Sequence, residues 1–208
     1  MSNSKYEITD IAHKTYPFLH RIRALQDIGD WAKAGDLGGF VESESNLAVD
    51  PGDSAWIFND AIVCGNAYVD QNSILLNNAI ACDSAYASSG SVLSGHARAE
   101  DDAYLRGAVM NGSARVSGFA QIIRVPGQFG TPLLSGHCQV YGIVRGDVRV
   151  TGTAVILPGE EVLNDTRDTF VLTGAGRSVI RGRSRESLAP DRTPPTQEKK
   201  PKKRGMER

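Results

Sequence analysis

The chain has 208 residues, 40% of them hydrophobic, with a formal net charge of −1; this is enough apolar material for one cored domain without disulfide or metal staples and excludes wholesale disorder. The near-zero charge is a cancellation, because residues 1–176 carry 12 Lys/Arg against 20 Asp/Glu, net −8, and residues 177–208 carry 11 against 4, net +7. No apolar run reaches the roughly 18 residues that span a bilayer, MSNSKYEITDIAHK lacks the order of a signal peptide, and Cys64, Cys82 and Cys138 form no CxxC pair, so the expectation is a cytoplasmic protein with reduced thiols and no metal site.

In chain order, residues 1–51 form an N-terminal cap. Within it TYPFLHRIRALQDIGDW predicts one or two strands or a short helix over the open end of the downstream repeat region, since a bare coil end is an unpaired sheet edge. Residues 52–157 carry the decisive pattern. A small residue recurs every six positions from Ala55 through Ala61, Ala67, Ser73, Ala79, Ala85, Ser91 and Ala97 to Ala103, then resumes after one shortened step at Ala108, Ala114 and Ala120. An apolar or small partner follows each at i+2, as in Ile57, Val63, Val69 and Leu75. Positions i and i+2 lie on one face of a strand, and helical spacing fails the test. Asn, Asp or Gly precedes many of the small residues, as corners with left-handed backbone require.

The period predicts an all-β parallel β-helix of hexapeptide repeats, three short strands and three corners per coil of about 18 residues, with five to six coils. The repeat breaks at VPGQFGTPLLS, a loop excursion over residues 125–135, and resumes irregularly with Cys138, Ile143 and Val148 stepping by five. Residues 158–183 include DTFVLTGAGRSVIRG, two β-rich runs around a Gly turn that predict a hairpin cap. Residues 184–208, Pro-rich and charged, predict a disordered basic tail. Its run Lys199, Lys200, Lys202, Lys203 and Arg204 would either meet phosphates by counterion release or solubilise the terminus.

Residues 18 apart stack about 4.8 Å from one another in such a helix, so outward side chains form columns. Trp56, Ile74, Val92 and Val109, with Phe58 and Leu76 beside them, form an apolar stripe read as an oligomer interface, or as a face covered by the chain's own cap or loop. Tyr68, Tyr86 and Tyr104 form a second column, either an aromatic ladder that stabilises the coils or a hydroxyl-bearing platform for a ligand. Ile62, Ile80, Arg98 and Arg115 form a third. Residues 34–97 hold eight carboxylates and no Lys or Arg, whereas residues 103–149 hold five arginines against Asp147 alone. The rod is polarised, and Asp60, Asp70 and Asp83 join Tyr68, Tyr86, Tyr104, Arg98 and Arg115 as candidate binding residues.

The hexapeptides resemble those of bacterial hexapeptide transferases, which implies a left-handed coil and a homo-oligomer, a trimer or else a dimer. RIRAL, then AGDLGGFVESESNL, and finally TFVLTGAGRS are similar to segments of prophage and enterobacterial hexapeptide-repeat proteins labelled acyltransferase-like. That resemblance covers most of residues 16–180 and implies a phage-encoded β-helix whose transferase label comes from its fold, which does not establish function. An acyltransferase on this scaffold would need a histidine as general base and an acyl-CoA donor. His96 and His137 are its candidates, although a corner His is also a residue that tolerates unusual backbone angles. His13 and His20 fall in the cap and supply no zinc triad. The favoured reading is a binding protein without catalytic residues or cofactor, acting through its surfaces on a host protein, nucleic-acid complex or small anionic ligand, the last held by the arginine-bearing half, with counter-defence inhibition as its role.

Overall fold

The computed structural model describes residues 3–127 and 130–182; the expected disordered tail lies outside them. These residues form a parallel β-solenoid of about seven coils, with no α-helix among them. Each coil contributes one short strand to each of three stacked sheets, and corresponding residues pair in parallel from coil to coil: Trp56 with Ile74, Ile62 with Ile80, Tyr68 with Tyr86.

The hexapeptide phase accounts for the interior. Ala55, Ala61 and Ala67 at corners, and Ile57, Val63 and Val69 on strands, are wholly buried, as are their equivalents in later coils. Each large inward side chain contributes about 1.5–3 kcal/mol by leaving water. Cys138 takes an alanine's place in this column and is fully buried. Ile143 does not point inward as the five-residue step predicts. It pairs with Gln121 on the outer face, and Val144 is the buried residue.

Corner backbone is left-handed, and one column shows why its residues change along the rod. Asn59, Asn77, Gly95, Gly112, Gly136 and Gly152 have φ between 54° and 75°. A Cβ on Gly95 would lie 2.9 Å from the Gly112 carbonyl oxygen, and one on Gly112 3.0 Å from the Gly136 nitrogen. Asparagine manages the φ in the first coils, whereas the corners at Gly95, Gly112 and Gly136 approach the next rung too closely for a side chain, and Gly152 at the end of the column has open space.

The stack is longer than the repeats indicate. The cap consists of antiparallel β1 (Tyr6–Ala12) and β2 (His20–Ala24), followed by β3 (Leu37–Val41), which already pairs in parallel with Ile62–Val63. Coil stacking therefore starts upstream of residue 52. Gly38 and Gly39 allow this junction, because a Cβ on Gly38 would sit 2.6 Å from Ile22 and 2.8 Å from the Trp56 ring. Buried Asn46 then ties the first coil to the second. Its amide donates to the carbonyls of Gly65 and Ala67, and its oxygen accepts from the N–H groups of Glu42 and Ser43.

At the far end, Thr169–Thr173 pairs in parallel with Val148–Val150 and antiparallel with Gly176–Ile180. The expected hairpin is present, and its first strand belongs to the last coil. Parallel pairing thus runs past residue 157 and raises the number of coils from the expected five or six to seven. Asn164, 2% exposed, bridges this turn to the carbonyls of Asp147 and Asp168.

Candidate functional site

The apolar stripe is not continuous at the surface. Trp56 is fully buried, edge-on to Tyr6 with ring centroids 6.2 Å apart and against Gly38. The N-terminal cap covers it, which corrects its assignment to an exposed interface. Phe58 is half-buried and packs on the main core, and Ile74, Leu76, Val92 and Val109 are half-buried further along. On the second sheet, Leu19 and Phe40 cover Ile62, with Ile80 and Cys64 packed alongside.

The tyrosine column forms as the 18-residue spacing requires. Tyr68 and Tyr86 stack with centroids 5.9 Å apart at 27°, and Tyr86 and Tyr104 follow at 5.5 Å and 32°. The first pair is stacked and the second tilted, so the rings follow one another along the column and, half-buried, present edges and hydroxyls outward. The Tyr86 hydroxyl donates to Asp70 Oδ2 at 2.9 Å. Burial, and then that bond, push the Tyr86 phenol up to about 12, and burial raises the Asp70 carboxyl. Asp70 Oδ1 is buried without a partner among the described residues.

The carboxylates of the acidic half are largely committed to the fold. Asp53 accepts the N–H groups of Ala55, Gln71 and Asn72. Burial opposes its ionisation, but those three donors prevail and hold it below the usual carboxylate range. Glu42, Asp83 and Asp101 each accept an N–H from a neighbouring coil's corner, at Gly65, Asp101 and Gly118. Asp60 pairs with Arg21 at 2.6 Å. Of the three candidate acids, then, Asp60 and Asp83 brace coils and Asp70 braces the tyrosine rim.

Arg98 and Arg115 are register partners on the second sheet. Glu100, its side chain 12% exposed, accepts from both guanidiniums. His96 and His137 stand at one corner, with Ser113 on the rung between them, and their backbone N–H groups donate to Gly112 and Gly152. Two rungs separate them, about 10 Å. Neither imidazole has a hydrogen-bond partner among the described residues, so no carboxylate there orients one as a general base. Burial pushes the thiols of Cys82 and Cys138 up to about 12 and 11 and raises that of Cys64, so all three are protonated near neutrality. No group of three or more His, Cys, Asp or Glu residues poised for a metal occurs among the described residues, and no helix there is long and apolar enough to cross a membrane.

Sequence reasoning missed Lys5. It is completely buried, its Nζ donates to the Ala48 carbonyl at 2.9 Å, and burial lowers its pKa to about 8 against the pull of Asp53 and Asp50. It precedes the repeats, and no periodicity marks it.

Fold and surface together define a capped parallel β-solenoid with ordered outward ladders. No protein-family model matches the chain, and comparison with curated proteins returns no match.

Proposed function

We propose that the protein acts by binding: a phage- or prophage-derived solenoid that engages a host macromolecule in the host cytoplasm, as an inhibitor of host defence. The observation that carries this is the tyrosine rim. Three tyrosines are held in one stack at 5.5–5.9 Å, with one hydroxyl fixed on Asp70. Such side chains have little rotamer entropy left to lose, and pre-organised tyrosine surfaces are typical of binding hot spots. The phage and counter-defence parts rest on the resemblance of RIRAL and AGDLGGFVESESNL. Self-association as a trimer or dimer belongs to the same proposal and rests on Ile74, Leu76, Val92 and Val109, without Trp56.

The test is affinity capture from host lysate with the tagged full chain, its Tyr68/Tyr86/Tyr104→Ser variant and its His96/His137→Ala variant, each checked for folding by circular dichroism. A partner held by wild type and the histidine variant but lost by the tyrosine variant supports the reading. A cellular phenotype abolished by the histidine variant and untouched by the tyrosine variant overturns it in favour of acyl transfer from acyl-CoA.

A further inference from the structure

Arginines in the later coils occur in two pairs on adjoining rungs that are built differently, Arg98 and Arg115 in register and Arg124 one residue past Ile123, the register partner of Arg106. Arg98 and Arg115 share Glu100, a carboxylate supplied by the fold. Arg106 and Arg124 also occupy adjoining rungs, the Arg124 N–H donating to the Arg106 carbonyl at 2.8 Å. No carboxylate among the described residues lies within ion-pair distance of either guanidinium. Arg145 extends the array by a rung, since it pairs with Ile123, which pairs with Arg106. It too has no ion-pair partner there.

The site is shaped as well as charged. A cleft of about 240 Å³ opens at this corner, lined by Ser89, Arg106, Gly107, Arg124, Pro126 and Gly127, with no acidic side chain among the described residues of its wall. Gly107, at φ +60°, positions Arg124. A Cβ there would lie 3.0 Å from Arg124 Cβ and 3.2 Å from its Cδ, so the arginine stem lies across bare backbone. Further up the same corner, the neighbouring cleft is lined instead by Asp50 and Asp53.

We propose that the Arg106–Arg124 cleft binds the phosphate group of a small phosphate ester, which supplies the negative charge that Glu100 supplies to the other pair. Each guanidinium is a planar fork of N–H donors that can engage two oxygens. One carboxylate gives each fork of the Arg98–Arg115 pair a single oxygen, whereas a tetrahedral phosphate, with more oxygens and more negative charge, can engage both forks of the unpaired arginines and leave oxygens for backbone donors. The site lies on a different corner from the histidines and does not depend on a macromolecule docking on the tyrosine rim.

The experiment titrates the full chain with inorganic pyrophosphate, following heat and the amide resonance of Gly107. Wild type saturates and the Gly107 signal moves. Arg106→Gln and Arg124→Gln each weaken binding about tenfold, the effect of losing one charged hydrogen-bond partner. Arg98→Gln leaves binding unchanged. So does a full-length Lys199/Lys200/Lys202/Lys203→Gln variant, which separates the cleft from the basic terminus. No saturation at about 10 mM pyrophosphate, binding unaffected by both arginine variants, or binding lost only in the lysine variant overturns the proposal. None of these results bears on capture by the tyrosine rim.

Discussion

Replacing Lys5 by methionine tests whether a charge is buried beneath the N-terminal cap. Lys5 is wholly buried, and its pKa falls from the ordinary 10.5 to about 8 because burial penalises the ammonium. Between those two values the unfolded chain holds a proton that the folded chain has released, so the contribution of Lys5 to stability grows as pH rises. It is complete above the unfolded pKa and lost as pH falls through the folded one. With these values the gain between about pH 7 and about pH 9 is roughly 1 kcal/mol. The buried thiols and phenols titrate with the opposite sign, but both proteins contain them and they cancel in the difference. The Ala48 carbonyl that loses its donor costs Lys5→Met a similar amount at both pH values. Urea unfolding of the two proteins under reducing conditions should therefore show the wild-type advantage widening by roughly 1 kcal/mol. An advantage constant with pH would mean that Asp50 and Asp53 keep the ammonium fully charged at pH 9, and would refute the reasoning.

Three other perturbations probe the ladders. Gly112→Ala should cost about 2–4 kcal/mol in urea unfolding, because left-handed backbone and a backbone clash add, whereas Gly90→Ala, at φ 75° with open space around it, should cost only about 1–2 kcal/mol. Equal losses would mean that the corners relax without resistance. Tyr86→Phe keeps the stack but removes the donor to Asp70, so stability should fall by about 1 kcal/mol at neutral pH, with the stacked geometry kept in the near-ultraviolet circular dichroism. Glu100→Gln leaves Arg98 and Arg115 in register without a shared charge. It should lower the thermal midpoint more at low salt than at high salt, since these arginines are partly exposed and screened.

The coils were legible because the interior is periodic in both sequence and space: small residues six apart, inward partners at i+2, tyrosines 18 apart. Trp56 was misplaced by the same rule that placed Ile74 correctly. Both follow a small residue by one position, but only Trp56 lies beneath a segment some fifty residues upstream, and nothing near it in sequence announces Tyr6 or Gly38. The coil count fell short because β3 and Thr169–Thr173 stack in register without the hexapeptide spelling. The acidic half read as a charged face because composition counts carboxylates and not their partners, whereas Asp53, Asp83 and Glu42 are bound to the backbone N–H groups of neighbouring coils. The arginines were visible as a group. Only coordinates separate the pair that shares Glu100 from the pair that shares nothing.

The corner after Arg124 differs from the others in how much chain it spends. One rung earlier, Gly107 alone joins Arg106 to Ala108, whereas here the strand that ends at Ile123 is followed by one that begins only at Leu133, which still pairs with Val109 as an ordinary rung. The solenoid therefore has a port at which sequence can be added or exchanged without shifting the register of any coil. Pro126 and Gly127, which belong to that port, also form part of the wall of the arginine cleft. Lineages carrying this scaffold could thus retune what the cleft admits through the length of one loop, while the core beneath it stays fixed.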